Sequence, residues 1–159
     1  MAKTVVRASR AAVPALTDDG RRLLEQRLQR LRKETLVDLG SLLADPQRDE
    51  RLVSDFERVL GEADAIEALL AAAERLPEPD PRIVQQGSRV VIEVSDGTRE
   101  RLRIVHPAEA FLDDERVSCE SPVAVALLGA RVGQTVVVQA PAGTYSARVV
   151  DLVDVAAVA

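Results

Sequence analysis

Two apolar stripes of alternating four-three spacing, set on either side of one Asp-Pro step, constrain this chain more than any other feature. The first runs Leu24, Leu28, Leu31, with Thr35 next in phase. Asp38 falls where an apolar residue is due, and the stripe moves to Leu39 and on to Leu42 or Leu43, the signature of an imperfect supercoil. The second runs Leu52, Phe56, Val59, Ala63, Ile66, Leu70, Ala73. Such spacing is the seam of a coiled coil. Between the stripes, Asp45-Pro46 removes a backbone donor and restricts the preceding residue, and proline can also open a helix at its first position. Asp45 therefore reads as a cap and residues 45–48 as the turn. Each helix then spans roughly 28 residues, or about 40 Å. Helices of equal length joined by a short turn form an antiparallel hairpin, here over residues 15–76. Folding about residue 46 sets Leu28 near Ala63, Leu31 near Leu60, Thr35 near Phe56 and Leu39 near Leu52. At its start, Thr17 reads as the N-cap, with Asp18 and Asp19 in the first turn. Gly20 reads as a minor cost there.

The pattern changes beyond the second stripe. Pro77, Pro79 and Pro81 make residues 77–86 a stiff linker. After Gly87 the period becomes two: Val90, Ile92 and Val94 alternate up to an Asp96-Gly97 turn, and Leu102 and Ile104 share a face of the next strand. Residues 107–112 read as a loop or short helical turn. Residues 121–128 have room for a short helix, with Ser121 as its cap, Pro122 in its first turn and Gly129 as its left-handed stop. Thr135 to Gln139 and Tyr145 to Val153 read as strands flanking a Pro141-Ala142-Gly143 turn. Short strands around one small helix give an α+β domain over residues 87–155. Residues 1–14, with Lys3, Arg7 and Arg10, read as a flexible basic arm, and 156–159 as a tail.

Composition narrows the function. The formal charge is −5, and the acids lie beyond the arm, so the body is ill suited to gripping duplex nucleic acid. Aromatic residues make up 2% of the chain, too few for a base-stacking platform. Cys119 is the one cysteine, which excludes an internal disulfide framework and fits a reducing cytosol. No apolar run reaches membrane-spanning length, so a cytoplasmic location is expected. His106 has no second histidine to join it, and Cys119 is the only other soft ligand; neither a zinc site nor a catalytic triad is supported.

Residues 87–150 resemble the C-terminal domain of the Gre family of bacterial transcription elongation factors. The most specific stretch is Ser118-Cys119-Glu120-Ser121-Pro122-Val123-Ala124-Val125-Ala126-Leu127-Leu128-Gly129, continued by Ala130-Arg131-Val132-Gly133-Gln134 and Pro141-Ala142-Gly143. Ile104-Val105 followed by Glu109-Ala110, and Leu16-Thr17 with Gly20 and Leu23-Leu24, are similar to further family signatures. The resemblance implies an FKBP-like C-terminal domain that docks on the rim of the RNA polymerase secondary channel. Ser121, Pro122, Leu127 and Gly129 are the docking candidates it suggests. It also implies a coiled coil that enters the channel, close to the nascent RNA 3′ end. There, acidic tip residues work beside the polymerase magnesium while the factor holds no metal or cofactor of its own.

The corresponding residues here are Asp45, Asp49 and Glu50, interspersed with Arg48 and Arg51. Cleavage factors of the family carry an Asp, then a Glu-Asn pair three residues on, then an acidic-aromatic pair, and no such run occurs in this chain. A carboxylate assists catalysis only where it reaches the metal or the water. The expectation is a monomeric, non-enzymatic, channel-occupying inhibitor or regulator. Stimulation of transcript cleavage and a coiled-coil binding module unrelated to polymerase are the alternatives.

Overall fold

The computed structural model describes residues 13–44, 47 and 50–153. The basic arm through residue 12, the expected tip residues Asp45 and Asp49, and residues 154–159 lie outside that set.

Strand β1 (Ala15–Leu16) leads into helix α1 (Asp18–Ala44), and helix α2 (Glu50–Ala72) leads into strand β2 (Glu74–Arg75). The expected cap is present: the Thr17 hydroxyl accepts from the Gly20 amide at 3.0 Å. The α2 helix has 23 residues rather than the expected 28 or so. It stops before Pro77 because residues 74–75 leave it to pair in parallel with β1, Ala15 opposite Glu74 and Leu16 opposite Arg75. Arg21 closes the same end, donating to the carbonyls of Leu70 at 3.1 Å and Ala73 at 2.6 Å, which satisfies acceptors the last helical turn leaves open.

The hairpin seam forms where the stripes align. Leu24, Leu31, Ala63 and Ile66 are buried, with Leu28, Val59 and Leu70 packed against them. Thr35 fits the seam because its hydroxyl donates to the Leu31 carbonyl. Arg27 pairs with Glu62 and Arg32 with Glu67 across the helices. Toward the turn the match fails. Leu39 is 38% exposed and Leu52 is 52% exposed, and Leu60, expected opposite Leu31, is also exposed. The phase slip at Asp38 is the physical reason at Leu39 and Leu52, whereas Leu60 is exposed because its neighbour Val59 takes the seam position. The slip leaves a groove of about 340 Å³ lined by Asp38, Leu42, Leu52 and Phe56.

The second domain is a five-stranded sheet in the order β5-β4-β3-β7-β6, with β3 (Arg89–Val94), β4 (Arg99–Val105), β5 (Arg116–Ser118), β6 (Thr135–Ala140) and β7 (Gly143–Val153). All neighbours are antiparallel except β4 and β5. Helix α3 (Pro122–Leu127) packs against β6 and closes a core that includes Ile92, Ile104, Leu127, Val138 and Val149. Val84, read from sequence as linker, is part of this core. It is held by backbone bonds to Gly129 and Ala130. The architecture is the expected α+β arrangement of an antiparallel helical hairpin and a curled β domain.

The seam yields a contrast in stability. Ile66→Ala empties a buried site and is expected to cost about 2–5 kcal/mol. Leu52→Ala, on the open distal face, should stay within about 0.5 kcal/mol. Urea denaturation of the two variants against the parent measures both.

Candidate functional site: hairpin tip, apolar crest and interdomain joint

Of the three expected tip carboxylates, only Glu50 lies among the described residues. It opens α2, exposed, in the first turn, where a carboxylate is favoured by the free amides of a helix start. The adjoining surface of α1 is apolar rather than acidic, whereas the first turns of α2 carry exposed Asp55, Glu57 and Arg58. Leu36 is 71% and Val37 70% exposed, and Asp38 is the single charged residue from 36 to 44. Among the described residues, no group of three or more His, Cys, Asp or Glu side chains is placed to hold a metal ion. His106 plays a structural part, since its Nδ1 accepts from the Ala108 amide at 3.1 Å and caps the 3-10 turn Pro107–Glu109. Burial, with the nearby Glu120 carboxylate, pushes the Cys119 thiol up, which disfavours a nucleophilic thiolate.

The docking candidates divide into two kinds. The Ser121 hydroxyl accepts from the Ala124 amide at 3.3 Å, with Pro122 in the first turn, as their positions predict. Gly129 adopts a positive φ of 84° and passes its N–H to the Val84 carbonyl. Leu127, in contrast, is 0% exposed. It seats α3 on the sheet and offers no surface to a partner, which corrects the expectation for that residue. The exposed side of the segment is an apolar crest of Pro122, Val125 and Leu128, each three residues from the next.

A joint that the sequence did not reveal connects the tip-bearing hairpin to the crest-bearing sheet. Arg103 on β4 and Arg116 on β5 are direct neighbours in the parallel ladder. Two guanidiniums side by side repel unless a carboxylate lies between them. Asp19, in the first turn of α1, supplies it: its Oδ2 accepts from both Arg103 Nη1 and Arg116 Nη2. Arg116 also donates to Asp113 at 2.7 Å and to Glu109 at 3.2 Å, so all three of its nitrogens are engaged. Glu109 is fully buried and accepts from the Thr17 hydroxyl and, at 3.3 Å, from the Thr17 amide. This approach explains Gly20, since a Cβ there would lie 1.4 Å from Glu109 Oε1. Beside these polar contacts, Leu112 packs on the hairpin core and Arg27 lies 5.1 Å from the Phe111 ring centre. The one legible signal was that Glu109 and Gly20 both sit in segments resembling the family.

Partial burial works to raise the Asp19 carboxyl, but hydrogen bonding and charge from Arg103, then Arg116, outweigh it and hold the group well below the ordinary 3.8. A depressed folded value adds stability above the unfolded value that is lost as pH falls below it. The stability advantage of the parent over Asp19→Asn should therefore be full at neutral pH. It should shrink as pH drops below about 4, read by thermal denaturation across a pH series.

A family model described as "Transcription elongation factor, GreA/GreB, C-term" matches residues 78–153. The "Transcription elongation factor GreA" of Thermomicrobium roseum is 42% identical over 90 residues, covering 55% of this chain and 57% of that protein. The protein of the same description from Roseiflexus sp. is 34% identical over 151 residues, covering 86% of this chain and 95% of its own length. The crystal structure of Thermus aquaticus Gfh1 is 29% identical, covers 89% of this chain and 99% of that one, and superposes with a TM-score of 0.41. On the extent and identity of the Roseiflexus match, together with the C-terminal family model, the chain belongs to the GreA/GreB family of transcription elongation factors.

Proposed function

We propose that this factor binds bacterial RNA polymerase at the secondary channel, inserts its helical hairpin there, and regulates transcription by occupying the channel. It acts as a monomer, holds no cofactor of its own and is not itself an enzyme. Family membership supports polymerase as the partner. The apolar crest of Pro122, Val125 and Leu128 is the surface best suited to dock on the channel rim, with Leu127 holding it in place from beneath.

The observation that carries the inhibitory sense is the character of the distal part of α1. Leu36 and Val37 are solvent-facing, Asp38 is the sole charge between 36 and 44, and Arg48 and Arg51 are interspersed with the turn carboxylates. Assisting phosphoryl chemistry at a metal needs carboxylates held within about an ångström of the working position, since misplacement on that scale can cost roughly a hundredfold. Apolar side chains offer packing against a channel wall and no such electrostatics. Obstruction demands less: a rigid rod of sufficient length, about 40 Å for a helix of this size.

The test uses stalled, backtracked elongation complexes incubated with the purified protein and magnesium. Slower nucleotide addition without release of short 3′ RNA fragments is expected, and fragment release would replace inhibition with cleavage stimulation. In the same assay, Leu36→Ser/Val37→Ser should keep the parent's melting temperature, because both side chains are exposed, and should weaken the inhibition. The Asp45→Ala/Asp49→Ala/Glu50→Ala protein should retain most of it. A triple variant that loses the whole effect would return the activity to the turn carboxylates.

A further inference from the structure

We propose that the Arg103–Asp19–Arg116 bridge and the Glu109–Thr17 contact are the positioning elements that set the direction in which the hairpin leaves the β domain. Their role in transcription rests on the reading of the hairpin as a channel-inserted rod. Their role in setting direction does not.

Three observations converge on this joint. First, the β domain carries two mostly buried arginines in direct register. Asp19 is the only carboxylate that Arg103 engages among the described contacts. Within the domain Arg116 is already matched by Asp113 and Glu109, so among the described contacts Arg103 is the charge that awaits the first turn of α1. Second, Glu109 is buried against that same turn, and the space it occupies exists only because residue 20 has no side chain. The turn is therefore gripped on two sides, by the bridge at Asp19 and by the carboxylate at Thr17 and Gly20. Third, the grip is applied at the base of a lever. Over a helix of 27 residues, about 40 Å long, a tilt of about 10° at the base moves the far end by roughly 7 Å. That displacement exceeds the roughly 5–6 Å radius of a helix, enough to misdirect a rod that must enter an opening fitted to it. Small losses at Asp19 or Gly20 should therefore be read out far away, at the turn.

The test measures the direction in the free, full-length protein. Spin labels are placed on Ser41→Cys in the hairpin and Gln139→Cys on β6, both exposed positions, in a Cys119→Ser background. Electron–electron double resonance then reports the distance distribution. A single narrow distance is expected for the parent and for the control Asp18→Asn, whose carboxylate pairs with exposed Arg75 outside the bridge. Asp19→Asn, which keeps shape and removes charge, should broaden or displace it. Gly20→Ala, which leaves every charge in place but forces the Glu109 carboxylate aside, should do the same. An unchanged narrow distance in both variants overturns the inference. The same proteins are then assayed for inhibition of nucleotide addition at saturating concentration, where both variants should lose most of the effect. A variant with a broadened distance and the full effect overturns the positioning role. A parent without effect on transcription defeats the functional reading alone, because the distance measurement requires no polymerase.

Discussion

A single carboxylate between two arginines governs how the two halves of this molecule meet. Arg103 and Arg116 stand opposite each other in the sheet, an arrangement that unmatched charge would make unfavourable. The hairpin resolves it by presenting Asp19 from the first turn of its first helix. Local chemistry already suits that turn to receive the arginines. Thr17 caps it, its free amides favour negative charge, and Glu109 can approach closely because residue 20 is glycine. Capping, dipole, charge pairing and backbone clearance thus converge on four consecutive residues. The hairpin base is secured further by the β1–β2 ladder and by Arg21 on the end of α2.

From that fixed base the hairpin weakens with distance. Its proximal seam buries Leu24, Leu31, Ala63 and Ile66 and is bordered by ion pairs. Beyond Thr35 the apolar stripe of α1 slips in phase at Asp38, and the two faces no longer close. The gradient separates two roles within one element. The base is bound to the β domain, and the far end is released from the demands of packing, with apolar side chains on its surface.

Much of this was legible in the sequence because it depends on local periodicity and local chemistry. The four-three stripes announced the hairpin, and the Ser121-Pro122 pair and Gly129 marked the ends of α3. The Asp96-Gly97 step marked a turn, where the Gly97 amide donates to the Val94 carbonyl. What escaped detection depends on distance along the chain. Asp19 meets its arginines across 84 and 97 residues, and no local pattern distinguishes Arg103 from Arg99 and Arg101 on the same strand. Gly20 looked like a small helical cost because its reason, the Glu109 carboxylate, lies in the other domain. The three-residue β5 is too short to show alternation and is defined by its pairing with β4. Leu127 read both as a core side chain and, by its place in a family-like segment, as a docking residue. Its burial follows from the face of α3 that meets the sheet, and that face is fixed by tertiary packing.

The placement of charge along α1 bears most directly on what the hairpin can do. Residues 21–34 are densely charged, whereas 36–44 contain only Asp38. Leu36 and Val37 point away from the seam, so packing among the described residues does not account for them. An exposed apolar surface is more often a place of contact than a neutral feature. A rod that presents such a surface near its end, behind a turn where arginines accompany the acids, meets its target through shape and desolvation more than through concentrated negative charge. Such contact fits a wall better than it fits a metal ion. On the proposed reading of the hairpin as a channel-inserted rod, it favours obstruction over catalysis, and the rod must then be aimed from its base.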